Sequence, residues 1–485
     1  MKKSAILILT ICASIVFGYA QSDIDAFTFS QVDWSGTARF TGVGGAFGAV
    51  GAEFSALSTN PASIGVFKKN EVTFTPLVIS IFKSTSIYND NHSSYLASNY
   101  NLANVGLVFS FTNITNQNIK GLQFGFGYNR ICDYNNQFRV EGVGANTSMM
   151  DEYVAAANSS NELGLFNTNL AWNTWLLDYD STESRYYSPL EKQPLTQSKY
   201  VHTKGAADEM IFSFGGNIND NFYFGATIGV PFLEYHEKVT YNEYDDLDTI
   251  GAFDEFTAHY NSSTEGIGIN LKIGVLCQPA DFVRFGMAFH TPTYYGKLKN
   301  TYDSDIYAKF NGKSYNDESP EGVYNYKLTT PLRVMGNVAF FIKKRAFISA
   351  EYEYTNFALA QMYAYGNTRY TFGQENQAIK DKYTSQHVVR LGGEVRITDI
   401  FLMRLGYIYK SSPYKKGDDG VRINDGSSHT GSLGLGFRAK RFFCDITYLI
   451  KRTKESFWIY SPEFVNSAAN TYHQHRIVAT AGVKF

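Results

Sequence analysis

"HRIVATAGVKF", residues 475–485, is the stretch on which the fold turns. Ile477, Ala479, Ala481, Val483 and Phe485 share one side of an extended chain, while Arg476, Thr480 and Lys484 share the other. A period of two is that of a β-strand with one apolar and one wet face. The pattern recurs upstream. In "DFVRFGMAFH" (281–290), Val283, Phe285, Met287 and Phe289 oppose Arg284, Gly286 and His290. In "HVVRLGGEVRI" (387–397), Val389, Leu391, Val395 and Ile397 oppose Arg390, Glu394 and Arg396. "LMRLGYIYK" (402–410) sets Met403, Leu405, Tyr407 and Tyr409 against Arg404 and Lys410.

A soluble sandwich alternates as well, so connection lengths decide. The pattern predicts strands near 70–82, 102–111, 120–131, 208–218, 221–235, 264–278, 281–295, 328–343, 345–356, 385–397, 400–410, 430–439, 441–452 and 473–485. Very short turns (Asn219-Asp220, Pro279-Ala280, Lys344, Thr398-Asp399, Lys440) alternate with long, tyrosine-rich loops. One rim of short turns and one of long loops is the plan of an all-β, transmembrane antiparallel barrel, here of about 14 strands, an even number that brings both ends to one side. A lipid-facing Arg or Lys at the bilayer midplane costs roughly 2–4 kcal/mol, so turning Arg284, Arg390, Arg396 and Arg404 outward would cost on the order of ten. These arginines are therefore expected in the lumen. Tyr352, Tyr354, Tyr407 and Tyr409 suit an interfacial aromatic belt, and Phe485 a lipid-facing end to the last strand.

Composition agrees. Tyr 35, Phe 38 and Gly 41 against only 11 Pro suit long strands joined by turns. The formal charge of -2 argues against a nucleic-acid partner. Lys2 and Lys3 precede an apolar run, Ala5 to Phe17, and Gly18-Tyr19-Ala20 ends it with small residues, so residues 1–20 are expected to be a cleaved export signal. That run falls short of the roughly 20 apolar residues of a spanning helix. Cys12 lies inside it, and Cys132, Cys277 and Cys444 are scattered, which indicates neither a disulfide framework nor a metal site.

About fourteen strands enclose more space than their own inward side chains fill. Residues 21–69 precede the first strand, lack alternation and are too apolar to hang in water, so they are expected to plug the lumen of a barrel spanning 70–485. Within them, "GTARFTGVGGAFGAVGAEFSALSTNPASIGVF" (36–67) carries a glycine-rich run from Gly42 to Gly51, then Ser55-Ala56-Leu57, then Asn60-Pro61-Ala62 with Gly65. This segment resembles the N-terminal hatch of the FadL/TodX family of outer-membrane transporters for hydrophobic compounds, in a form similar to members from Bacteroidetes-type bacteria. Ser63 stands where the family usually has glycine, which leaves the backbone of that turn open.

The resemblance implies a Gram-negative outer-membrane channel, a monomeric barrel among lipid and lipopolysaccharide, taking up small hydrophobic molecules such as long-chain fatty acids or aromatic compounds. It implies passive passage without enzymatic activity or cofactor, a hatch turn at Asn60, Pro61 and Ala62, and lateral release through a gap in the third strand. That strand is "KGLQFGFGYNR", and Gly125 and Gly127 are the expected flanks of the opening. Phe40, Phe47, Phe54 and Leu57 are the expected lining of an apolar ligand pocket. Barrels similar to FadL also serve as protein shuttles in type IX secretion, and some relatives carry a haem-receptor label, which gives two alternative functions.

Competing motifs are weaker. Gly42-x-Gly44 is followed at the sixth place by Phe47 rather than glycine, and no buried strand precedes it, so it is no dinucleotide loop. His473 and His475 share a strand face at a spacing that suits a metal or haem, yet a wet rim explains them equally. Asp245, Asp246 and Asp248, and Asp418 with Asp419, read as solvated acidic loops that calcium of the lipopolysaccharide layer could occupy. "LAWNTWLLDYDS" (170–181), in the loop 141–200, is either a ligand-capture element at the long-loop rim or the packing core of its own loop.

Overall fold

The computed structural model describes residues 22–33, 35–112, 118–343, 345–366, 370–417 and 424–485; the export leader and the Asp418-Asp419 loop lie outside these. Fourteen strands form the wall: β1 (Glu71–Tyr88), β2 (Asn104–Phe111), β3 (Ile119–Asp133), β4 (Leu195–Ile218), β5 (Phe222–Tyr244), β6 (Phe253–Ala280), β7 (Val283–His290), β8 (Arg333–Ile342), β9 (Ala346–Asn356), β10 (Ser385–Arg396), β11 (Phe401–Lys410), β12 (Ser428–Arg438), β13 (Phe442–Phe457) and β14 (Ala468–Lys484). Each pairs antiparallel with the next, and β14 returns to β1, so the sheet closes on itself. No described helix is long and apolar enough to cross a membrane.

Local chemistry sets the tight rim. Asn219 and Asp220 both have positive φ, the mirror-type two-residue turn that matches strand twist and that Asn and Asp tolerate. Asn89 and Asp90 repeat this at the opposite rim. The outer surface is a belt of exposed apolar side chains, among them Phe212, Ile228, Ile269, Phe285, Met287, Leu405 and Ile446. Phe485 is also exposed. Only lipid makes so broad an apolar exterior tolerable. On the other face of the same strands, Arg284, Arg390 and Arg404 are buried within the ring, whereas Arg396, on that face too, is exposed at the tight rim.

The wall has two tiers, which the periodicity did not show. The lower part of β1 pairs with β2, but its upper part, Val78 to Tyr88, pairs with Asn91–Asn101. β6 pairs with β7 through Lys272–Ala280 and, higher up, with Tyr294–Phe310. The predicted strands 281–295 and 328–343 are each cut in two at this change of neighbour, with Pro292 and Pro331 in the breaks. Proline has no N–H to give a ladder, so the chain can leave one partner and find another there.

Candidate functional site

The N-terminal segment lies inside the ring and touches strands on every side. α1 (Asp23–Ser30) is capped by Ser22, whose side chain accepts the Ile24 N–H, and Asp25 reaches back to the Ser22 N–H. Lys382 binds Asp23 at 2.8 Å. Asp33 sits between Lys410 (3.0 Å), Lys451 (2.8 Å) and Arg476 (3.7 Å), on β11, β13 and β14. Arg39 grips Glu394 of β10 with two bonds of 2.9 Å. Arg404 joins Glu394 to Asp445 at 2.6 and 2.7 Å. Arg390 likewise meets Glu351 and Glu353 at 2.7 and 2.6 Å, so Arg390 and Arg404 are neutralised by carboxylates, the arrangement that makes buried charge tolerable, while Arg284 donates instead to Gln278 and the Val50 carbonyl.

Asn60 fastens the turn with three bonds. Its Nδ2 donates to the Gly48 carbonyl (2.9 Å) and to Asn337 Oδ1 of β8 (3.2 Å), and its Oδ1 accepts the Ala62 N–H (3.1 Å). Gly48 N–H in turn donates to Glu351 of β9 at 3.1 Å, and His290 of β7 meets the Thr59 carbonyl at 2.8 Å. The wall gives way to this turn. A Cβ on Gly274 would lie 2.0 Å from Asn60 Oδ1, and one on Gly225 would lie 2.3 Å from the Pro61 carbonyl oxygen. Asn60, Pro61 and Ala62 therefore seat in a hollow formed by absent side chains on β5 and β6.

Gly125 and Gly127 belong to the same kind of hollow, not to a gap. Both are laddered to β2 and to β4, so the wall is continuous through them. A Cβ on Gly127 would meet the Phe54 ring at 2.5 Å, and one on Gly125 would meet Leu57 at 3.0 Å. Phe40, Phe47, Phe54 and Leu57 are buried to 1 % exposure or less. They fill the space between segment and wall, with Phe47 edge-on to Phe347 at 5.6 Å, and line no open cavity. Large apolar groups beside glycines pack to interior density rather than leave room.

The wall does part, but higher. Above Asp133 the chain turns and continues as Asn136–Ala145, which pairs with β4 on one side only. Facing it is the edge of Asn91–Asn101, and among the described residues no backbone ladder joins the two. Side chains hold this seam: Asn101 Nδ2 to Asp133 Oδ2 (3.0 Å), Ser93 Oγ to the Arg139 carbonyl (2.7 Å) and Tyr95 to Tyr200 (3.3 Å between hydroxyls). At its foot, Gly205 of β4 takes φ +114°, a bend open only to glycine, and its carbonyl accepts the Tyr134 N–H. A cavity of about 890 Å³ lies against the seam, lined by Tyr100, Leu102, Arg130, Ala206, Phe232 and Ile267 among others.

The long-loop end is capped. α2 (Met149–Ser159) and α3 (Thr168–Asn173) pack with Phe138, Tyr241, Phe256 and Ile459 into an apolar core that includes Leu170, Leu176 and Leu177. Trp172 and Trp175 stay exposed. The "LAWNTWLLDYDS" segment is thus chiefly the core of its own loop, with two indoles outside. Glu243, near the outer end of β5, ties the cap down by accepting from Ser148 Oγ (2.6 Å), the Met149 N–H (2.7 Å) and the Tyr241 hydroxyl (2.5 Å). Burial pushes its carboxyl up to about 7, against the opposing pull of these bonds. Beneath the cap is a cavity of about 380 Å³, lined by Met149, Tyr153, Phe166, Val239, Tyr260 and Tyr302 among others.

His473 and His475 point to the outer face of β14, where the Tyr448 hydroxyl meets His475 Nδ1 at 2.6 Å. They do not converge on the lumen, and no metal-holding cluster exists among the described residues.

No family model and no curated protein matches the sequence. Solved structures match the fold. A Pseudomonas aeruginosa FadL homologue aligns over 94% of this chain and 100% of its own, with TM-score 0.57 at 15% identity. The chain has the FadL/TodX fold. The Pseudomonas putida toluene transporter TodX aligns over 94% and 100% (TM-score 0.51, 11% identity). The Ralstonia pickettii toluene transporter TbuX aligns over 93% and 98% (TM-score 0.50, 14% identity). At such identities what the FadL/TodX likeness establishes is the fold, a closed barrel of fourteen strands.

Proposed function

We propose that this protein is an outer-membrane channel through which small hydrophobic molecules pass passively, entering under the cap and leaving sideways through the seam between Asn91–Asn101 and Asn136–Ala145. The observation that carries the reading is a stoppered base beneath a wall that, among the described residues, has no backbone ladder along this seam. A solute in the lumen finds the axial route closed by the segment Gly36 to Phe67, whose side chains are almost wholly buried. At the foot of the seam Tyr100, Phe232 and Ile267 are exposed among charged groups, and the apolar belt of Phe126, Phe212 and Ile228 begins below them, so a greasy solute that emerges there gains by moving down into hydrocarbon rather than out into water. Similarity to FadL and to toluene transporters supports fatty-acid-like or aromatic compounds as the solute class. In this reading segment 21–69 acts as the hatch, and the apolar belt supports a single barrel in outer-membrane lipid.

A double Cys variant tests the exit. Asn101→Cys with Asp133→Cys replaces a 3.0 Å side-chain contact across the seam by a bond that oxidation closes. Uptake of a labelled fatty acid or of toluene into cells or proteoliposomes should fall on oxidation and return on reduction. Equal uptake in both states would exclude the seam as the route.

A further inference from the structure

On four neighbouring strands the outward apolar run ends in a basic group, and the four groups stand side by side. Along β1 the outward side chains are Phe74, Ile79 and Ile81, then Lys83. Along β13 they are Phe442, Ile446, Tyr448 and Ile450, then Arg452. Along β12 they are Phe437, Leu435 and Leu433, then Gly431 and His429; along β14 they are Val483, Ala481, Ala479 and Ile477, then His475 and His473. Register places Lys83 directly opposite His473, His473 opposite Arg452, and Arg452 opposite His429. At a strand spacing of about 4.8 Å the row spans roughly 14 Å.

Like charges directly opposite one another repel. Lys83 and Arg452 flank the His473 ring on either side, and His475 lies two residues along on the same face. Lys83, Arg452 and His473 form no ion pair among the described residues, and His429 meets the Tyr407 hydroxyl at 2.7 Å and the Tyr409 ring at 5.1 Å rather than a carboxylate. The opposite flank of the barrel differs. There several outward basic groups have carboxylates beside them, Arg130 with Asp208 (2.8 Å), His236 with Glu234 (3.0 Å) and Lys299 with Glu265 (3.9 Å), while Lys297 and Lys327 lie over the Tyr365 ring and His202 stands opposite Lys238. The row on β12, β13, β14 and β1 thus lacks its counter-charge, at the level where apolar surface gives way to polar.

We propose that this row binds the phosphate groups of a phosphorylated lipid of the outer leaflet. Acyl chains lie along the apolar strands below it, and the phosphates bridge Lys83, His473, Arg452 and His429, with Arg452 able to fork two phosphate oxygens. The site rests on the membrane placement proposed above and is separate from the lumen and the seam.

The test uses the purified full-length barrel in nonionic detergent, titrated with bis-phosphorylated lipid A, with its dephosphorylated form and with inorganic phosphate, and read by native mass spectrometry. Lipid A should bind, the dephosphorylated form should bind more weakly by roughly tenfold or more, and inorganic phosphate should not displace the lipid. A Lys83→Gln, Arg452→Gln, His473→Gln triple variant should lose the phosphorylated lipid selectively. Lys238→Gln with Lys327→Gln, outward lysines elsewhere, should retain it, as should Arg452→Lys, which keeps the charge should the triple variant fold poorly. Unchanged binding by the triple variant, an equal loss in the Lys238, Lys327 control, or displacement by inorganic phosphate would overturn the proposal. Membrane fractionation of cells reads the placement separately from this titration.

Discussion

Replacing Asn60 should unfasten the hatch. Asn60→Ala removes the donor to the Gly48 carbonyl and to Asn337 Oδ1 and the acceptor for the Ala62 N–H, in a place with no access to solvent. Each orphaned buried polar group costs about 1–3 kcal/mol. Water entering the vacated space recovers part of this, and the expected net loss is about 3 kcal/mol. At 1.4 kcal/mol per decade, the fraction of molecules with an unseated hatch rises roughly a hundredfold. Single-channel recording in a planar bilayer should show open bursts absent from the parent protein, together with a lower melting temperature. Asn60→Asp sharpens the case. It keeps the acceptor for Ala62 but loses both donated bonds and brings a charge close to Glu351, which already holds Gly48. It should be at least as leaky as the alanine variant. A silent, fully stable Asn60→Asp channel would refute the assignment of these bonds as the fastening.

Gly125→Leu, whose Cβ would press on the side-chain tips of Leu57 (3.0 Å) and Ile64 (3.1 Å) and no wall backbone, should unseat the hatch while leaving the β2–β3–β4 ladder intact, giving a folded but leaky barrel by conductance; a tight barrel would show that the close approach at Gly125 does not hold the hatch. Glu243 predicts a pH effect on the cap. Its carboxyl titrates near 7 in the folded protein and near 4.5 unfolded, so the folded form holds the extra proton between these values, and its contribution is present below about pH 4.5 and lost as pH rises through 7. Amide exchange in Met149–Ser159 should therefore quicken between pH 5 and pH 8 beyond its intrinsic rise, and Glu243→Gln should abolish that excess. Leu176→Ala, in the cap core, should cost about 2–5 kcal/mol of cap stability. Trp175→Ala should leave stability unchanged and raise the half-saturating concentration for uptake if the exposed indole captures ligand.

The barrel was legible in the sequence because lipid enforces a period of two on each strand. Arg284, Arg390 and Arg404 had one tolerable direction, and the structure has them buried inside. Strand ends were less legible. Upper-tier extensions such as Ala258 to Phe253 face water on one side and a cap on the other, so their alternation no longer separates polar from apolar, and only prolines at 292 and 331 marked where neighbours change. The position of a wall opening was not legible from glycines alone. A glycine on a wall strand admits either a gap or a close neighbour, and Gly125 and Gly127 proved to admit a neighbour. The signal that could have served is reciprocal: lumen-facing glycines at 225 and 274 opposite a bulky, proline-fixed turn. The seam carries no such mark, since Asn101, Asp133 and Ser93 look like any polar loop edge.

The hollows of β3, β5 and β6 mean that wall and stopper are cast against one another. Chimeras that exchange residues 21–69 between barrels of this shape should jam or leak unless the matching glycines travel too. Drift in one part then permits change only in the other, and the overall outline can persist while scarcely one residue in seven still agrees with the Pseudomonas aeruginosa barrel.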